Sequence, residues 1–417
     1  MQYKVNSEIQ PLRFVITHKP GIEHEYVTPE NLIEKIEKDN KLIDNPNYLL
    51  FDDIIQVDKA QQEHQELYNI LHHFTDGNCY EFIELLKIIL KDTNIKNSLI
   101  DECIELEFSL YNQKINIDDL MNLNIDSLVE CLLTGCVLDK KIFSHPLPNL
   151  IFTRDIAVCI GKTMLITWSK KDVRKRENVL AKYIFTYYNS FKNMNVYDFH
   201  SKHPKLSIEG GDILVFDDKR VCIGISERTP LESINKIAHL FFDEGFKTII
   251  AIDLPKKRAL MHLDTIFTRI NENEVLVFPP ILDKNQLNTI YLYKNSNSEP
   301  KKISKDLLTV LKNDGIELNF IKCGADSKIM QQREQWTDGA NAFALSPGKI
   351  IGYDFNTYTI NELKNSGYKS IDANEYINNY IKYNQSNEKL IITIKGSELS
   401  RGRGGPRCLT MPLFRIK

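Results

Sequence analysis

From residue 150 onward the chain repeats one order of elements: a short apolar hairpin, an amphipathic helix, then one more short strand. That repetition constrains the fold strongly, because no single unit can bury its apolar strands and like units must pack together. In the first unit, runs 156–160 and 163–167 flank Gly161-Lys162, with a helix expected at 174–188 and a strand near Val196. The second pairs 213–216 with 221–225, and its strand 248–252 follows a helix opening at Thr229-Pro230-Leu-Glu232. Proline suits the first helical position there, and the Thr/Glu spacing fits a capping box. A third unit runs through 265–270, 275–278, a helix near 304–313 and a strand at 316–321, with extra residues around Tyr291. A fourth uses 342–345, 350–353 and a helix with a second capping box at Thr359-Ile-Asn-Glu362, ended by Gly367. The fifth is expected to draw on 390–394, the last twenty residues, the strand 12–17 and a helix at 57–74. Five units closed by the two ends of the chain predict a pseudo-symmetric five-bladed α/β propeller.

One segment breaks the pattern. Between residues 76 and 145 the apolar stripes are only helical in spacing, as in Phe82, Leu85, Leu86 and Ile89. We therefore expect residues 1–75 and 146–417 to form the catalytic propeller and 76–145 an all-helical insertion. At 417 residues the chain exceeds the size of one ordinary core, which agrees with two parts.

Composition removes several function classes. The net charge is −3 with both signs interspersed, so no basic footprint points to nucleic acid. No apolar run approaches the roughly 18–20 residues of a membrane span. The start, Met1-Gln-Tyr-Lys-Val, has no apolar core of signal type, and a cytoplasmic location is expected. Eight cysteines are scattered without a Cys-x-x-Cys pair, which offers neither a zinc ribbon nor a dithiol site.

The polar clusters each fall just ahead of a hairpin, so all should face one axis. They are Asn149 to Asp155, Glu209-Gly-Gly-Asp212, His262-Leu-Asp264, Gln335 to Asn341, and Arg403 to Cys408. Counted from Arg401, this last stretch has three glycines that free the backbone and three arginines that flank a thiol, which favours the thiolate. Taken singly each cluster has an ordinary reading: a surface histidine beside an acid, a turn, a surface ion pair, a buried inert cysteine. Together they supply a cysteine nucleophile, a histidine to move protons and a carboxylate to orient it. Further carboxylates without metal-type ligand spacing call for a cationic substrate group. A guanidinium matches best, since its planar donors pair with carboxylates two at a time.

These motifs, with His18-Lys-Pro-Gly21, Leu49-Leu-Phe-Asp-Asp53, Phe152-Thr-Arg-Asp155, Ser226-Glu-Arg-Thr229 and Arg401 to Cys408, resemble the bacterial arginine deiminases of the guanidine-modifying (pentein) superfamily from end to end. The resemblance implies Cys408 as nucleophile, His262 as general acid and base, Glu209 as its partner, and Asp155 and Asp264 as the guanidinium grip. It further implies Asn149, Arg174 and Arg228 for a substrate carboxylate, Asp212 for its ammonium, Phe152 against the planar group, and Arg403 as a mobile arginine. Leu409 and Ile55-Gln56-Val57 depart from common versions of the family without removing a reacting group.

The implied reaction turns L-arginine into citrulline and ammonia through a covalent amidino-cysteine, with no metal and no cofactor. The implied partner is this small molecule, and the enzyme is expected to be a homo-oligomer, dimer or tetramer. An amidinotransferase, a dihydrolase releasing ornithine, and a non-catalytic arginine sensor are the rival readings.

Overall fold

The structure is a computed structural model and describes residues 3–38, 40–138, 140–282, 288–295 and 299–416. Among these residues the strands form five sheets of three to five strands and two separate two-stranded hairpins. The architecture is mixed α/β. Each of the five sheets holds an antiparallel pair extended by a parallel strand. Parallel neighbours need a long crossover, and a helix supplies it in each case.

Local sequence accounts for this order. The pair Ala157–Ile160 and Thr163–Ile166 is buried at every position, as is Leu390–Ile394, so these strands are covered on both faces. Helix Lys175–Tyr187 returns the chain to Asn195–Asp198, parallel to Thr163–Ile166. The next sheet pairs Ile213–Val215 with Arg220–Ile225 and, across helix Leu231–Asp243, with Thr248–Asp253. Phe267–Asn271, Glu274–Val277 and Asn319–Lys322 follow, with helix Leu307–Asn313 capped by Asp306. Strands Phe343–Ser346 and Lys349–Tyr353 open the sheet after that.

The remaining sheet is closed by distant parts of the chain. Met411–Arg415 lies antiparallel to Leu12–Thr17, which runs parallel to Cys79–Glu81 across helix Val57–Phe74. Links between sheets are short. Val5 and Gly161 exchange backbone hydrogen bonds at 2.9 Å, Trp168 bridges Ile208, and Arg415 donates to Ala344 O at 2.7 Å.

Four expectations need correction. Leu390–Ile394 does not join the closing sheet; it inserts between Lys349–Tyr353 and Lys369–Asp372, parallel to both. The extra residues around Tyr291 form strands Asn288–Tyr293 and Lys301–Lys305, which extend the sheet of Thr248–Asp253 to five strands. The stretch after residue 76 is not purely helical, because Cys79–Glu81 is a strand and Cys136–Val137 pairs with Lys140–Lys141. Neither capping box forms: helix Leu231–Asp243 starts after Pro230, and helix Thr357–Asn365 starts ahead of Thr359. Both threonines serve other groups. Thr229 Oγ1 accepts from Glu209 N at 3.2 Å, and the Thr359 hydroxyl donates to Glu334 at 2.6 Å.

Helices Phe82–Ile89 and Thr93–Tyr111 pack on helix Lys175–Tyr187, and Ile125–Thr134 packs on Phe82–Ile89, with Leu99, Ile100, Leu128 and Leu132 in the shared core. Arg176 ties the two parts polarly, donating to Leu132 O and His145 O with its guanidinium over the Phe143 ring. Its neighbour two positions earlier points the other way, into the candidate site.

Candidate active site

Cys408 stands three residues ahead of strand Met411–Arg415, at the end of a loop that leaves the short helix Leu399–Gly402 through Arg403. Arg403 is held left-handed at φ 66°. A Cβ on Gly404 would stand 2.2 Å from the Phe152 ring, so the loop reaches this wall only as glycine. Asn341 fixes the Cys408 peptide: its Oδ1 accepts from Arg407 N at 3.1 Å and Cys408 N at 3.2 Å. The same side chain donates to Asp264 O at 3.0 Å, which sets the two loops against each other.

The thiol is buried beside acids. Cys408 Sγ lies 3.6 Å from Asp264 Oδ2. Burial first, then the charges of Asp264, Asp155 and Asp338, push the thiol well above its ordinary range, and Arg407 opposes them. Asp264 Oδ2 also receives Arg407 Nη1 at 2.7 Å, while Oδ1 is buried without a protein partner.

His262 Nε2 donates to Glu209 Oε2 at 2.8 Å, and Nδ1 lies 3.6 Å from Asp155 Oδ1. Burial alone would lower this imidazole, but Asp155, Glu209 and Asp212 outweigh it and raise the ring to about 9. The histidine is therefore an imidazolium at neutral pH. Glu209 goes the other way: burial disfavours its charge, yet Arg228, His262 and Arg174 hold it below the usual carboxylate range. Gly211 lets this layer close, since a Cβ there would meet His262 Nδ1 at 2.5 Å.

Two arginines stand along the same cleft. Arg174 donates to Asp155 Oδ2 at 2.7 Å, to Glu177 at 3.0 Å and to Asn149 O at 3.1 Å. Arg228 Nη1 lies 3.6 Å from Glu209 Oε1, and its Nε is buried without a protein partner. Asn149 in turn donates to Leu49 O at 2.6 Å, and Arg258 donates to Leu50 O at 2.7 Å. Leu50, left-handed at φ 63°, thus lies over the cleft, held from both sides.

Of the residues singled out by sequence, Cys408, His262, Asp155, Arg174, Arg228 and Asn149 line one cleft, with Phe152 and Arg403 at its wall. Glu209 and Asp264 lie directly behind that lining and are fully buried. Asp212 is placed differently. Both its oxygens are engaged, one by Leu263 N at 3.1 Å and one by the Ser226 hydroxyl at 2.6 Å, and burial raises it to about 7. It braces the backbone next to His262 and does not border the cleft. Arg403 points away from the thiol, stacked 3.7 Å from the Trp336 ring centre and donating to Trp336 O at 2.6 Å. A wider open groove along Ile329, Trp336, Phe355 and Tyr358 holds none of the reacting groups.

Sequence reasoning placed Asn341 and Arg407 in polar clusters without giving them a role, and missed Glu8 and Arg258. Arg407 adjoins the cysteine and was visible as a third arginine; Glu8 lies in a segment with no motif or period.

Asp155, Glu209 and His262 are close enough to share a metal ion. Their free pairs are already taken by cations and by one another, with Arg174 at 2.7 Å from Asp155 and Arg228 at 3.6 Å from Glu209. That donor set fits an organic cation held near guanidinium groups better than a dication.

The family model for arginine deiminase matches residues 132–415. The chain belongs to the arginine deiminase family. Members similar to it over nearly the whole length include the arginine deiminase of Mycoplasma capricolum, 34% identical over 100% of this chain and 98% of the relative. That of Listeria monocytogenes is 32% identical over 99% and 97%, and that of Borrelia garinii 34% over 98% and 97%. A solved dimethylarginine dimethylaminohydrolase is 13% identical, with a TM-score of 0.48 over 96% of this chain and 99% of that one.

Proposed function

We propose that this member of the family hydrolyses L-arginine to L-citrulline and ammonia. The observation that carries this reading is the position of Cys408 3.6 Å from Asp264 in a cleft that also holds His262, Asp155 and two arginines.

A guanidinium seated between Asp155 and Asp264 neutralises the anions that keep the thiol protonated. The substrate thereby favours the thiolate that attacks its own carbon, and the thiol proton leaves to solvent. Attack forms the S–C bond and a tetrahedral centre. The His262 imidazolium gives its proton to a departing nitrogen, ammonia leaves, and an amidino group remains on Cys408. The neutral ring then takes a proton from water as hydroxide adds to the carbon. Collapse of that second tetrahedral centre breaks the S–C bond and forms the ureido C=O of citrulline, the hydroxyl proton passing to the departing sulfur. General acid and base help of this kind is worth roughly 10²–10⁴-fold in rate. Glu209 keeps the ring oriented and favours its return to the charged form, Arg174, Arg228 and Asn149 face the substrate carboxylate, and Phe152 flanks the planar group. Arg403 in this reading moves between Trp336 and the cleft.

The same reading includes residues 76–145 as an insertion into a propeller made of 1–75 and 146–417. It also includes a cytoplasmic homo-oligomer. No described helix is long and apolar enough to cross a membrane. Purified protein given arginine should release citrulline and ammonia in equal amounts. Ornithine would indicate a dihydrolase, guanidino transfer to an added amine an amidinotransferase, and binding without product a sensor.

A further inference from the structure

Behind the nucleophile lies a buried charge cluster that the reaction scheme does not use. Arg407 meets Glu8 twice, Nε to Oε2 and Nη2 to Oε1, both at 3.0 Å. Its Nη1 donates to Asp264 Oδ2 at 2.7 Å, and Nη2 also donates to Ile213 O at 2.9 Å. All three nitrogens of the guanidinium are thus engaged, in four hydrogen bonds to Glu8, Asp264 and Ile213. Glu8 and Asp264 are its only carboxylate partners among the described residues. Glu8 itself is fixed by its backbone, whose N–H donates to Val215 O at 2.7 Å.

Two more cations stand near. Arg154 donates to Arg407 O with its Nη2 buried and unpaired, and Arg415 donates to Gln10 O and Ala344 O. Neither makes an ion pair among the described residues, and both act on Glu8 as attracting charges together with Arg407. Asp264 therefore backs onto a positive region in which Glu8 is the one close counter-charge. Meanwhile its Oδ1, buried and unpartnered, is left for whatever enters beside Cys408.

We infer that Glu8 is a positioning residue for the reaction: by neutralising Arg407 it leaves Asp264 enough negative charge to hold a guanidinium next to the thiol. This rests on the proposed function for the identity of the cation. Glu8 touches neither substrate nor the reacting atoms; it acts through Arg407 on Asp264 and Cys408.

The consequence has a sign that loss of packing does not share. With glutamine at position 8 the shape and one acceptor remain, but Arg407 keeps its full charge. A cation should then bind less well, while the thiol, facing more positive charge, should ionise at lower pH. Exchange of Arg407 for methionine takes that charge away and should move the thiol to higher pH.

The experiment uses the full chain. In a Cys408→Ala background, arginine and its neutral ureido counterpart citrulline are titrated calorimetrically with and without Glu8→Gln. Arginine affinity should fall about 10-fold or more, the loss expected for a charge-assisted contact, and citrulline affinity about twofold or less. In the Cys408-containing protein, without substrate, the pH profile of iodoacetamide alkylation should move to lower pH in Glu8→Gln and to higher pH in Arg407→Met. If only one variant folds, the direction of its alkylation shift decides. Equal loss for both ligands, or shifts of the two variants in the same direction, or an unchanged profile, overturns the inference. Failure of the unsubstituted site to bind arginine overturns the proposed function instead, and leaves the alkylation comparison standing.

Discussion

Cys408 Sγ and Asp264 Oδ2 stand 3.6 Å apart, so the proposed nucleophile rests against an anion. Such a thiol is protected until a cation arrives. The free enzyme should react slowly with iodoacetamide at pH 7 and progressively faster as pH rises, because burial and Asp264 push the thiol up. A small guanidinium that cannot react further should accelerate alkylation at pH 7. Rapid, pH-independent alkylation of Cys408 in the free protein would contradict this.

Cys408→Ala should lose turnover entirely while melting within a few degrees of the parent, since alanine keeps most of the packing. Acid-quenched parent enzyme with arginine should carry one amidino group on a peptide containing Cys408, read by mass spectrometry. Its absence under rapid quenching, with turnover intact, would remove the covalent step.

His262 is raised from an ordinary 6.5 to about 9 by its carboxylates. The sign follows from linkage: these contacts stabilise the fold fully below pH 6.5, and that stabilisation is lost as pH rises through about 9. Thermal melting of the parent should decline across that window, and His262→Gln should flatten the decline. An unchanged slope in the variant would refute the charged histidine.

Arg174 and Arg228 line the cleft, and in the proposed reading they receive the substrate carboxylate. Agmatine, which lacks that carboxylate, should be a poor substrate. Arg228→Ala should lose about 10–150-fold in kcat/KM for arginine, the worth of one charge-assisted contact, and narrow the preference over agmatine. Arg174→Ala should also melt lower, because Asp155 and Glu177 would be left buried without their cation. Equal efficiency on both substrates in the parent would remove the assignment.

Exhaustive dialysis against a chelator should leave activity unchanged, given the arginines already paired with Asp155 and Glu209. Loss restored by a single metal would reverse that view.

Much of this was legible before any coordinates. Helix Val57–Phe74 announced itself by apolar spacing, and the hairpins did so through paired apolar runs around tight turns. The reacting residues stood out because their types and positions met one chemical need. Other parts were not legible for physical reasons. Leu390–Ile394 reads as a buried strand, but a strand's pattern does not say which neighbour it will choose. Thr229 and Thr359 had the spacing of caps, yet Glu209 N and Glu334 made better use of their hydroxyls. Asp212, which the resemblance assigns to an ammonium, also holds Leu263 N and the Ser226 hydroxyl, contacts that no motif displays. The Glu8–Arg407 contact joins residues 399 positions apart, and no local rule reaches that far.

The pairing of Leu12 with Arg415 also sets a schedule for synthesis. A ribosome adding about 5–20 residues per second would present strand Leu12–Thr17 roughly 20–80 s before its antiparallel partner Met411–Arg415 emerged. Through that wait one edge of an apolar strand stays open to pairing with other chains. The loop that carries Cys408 leads directly into the late strand, so catalytic competence and the sealing of that edge should arrive together.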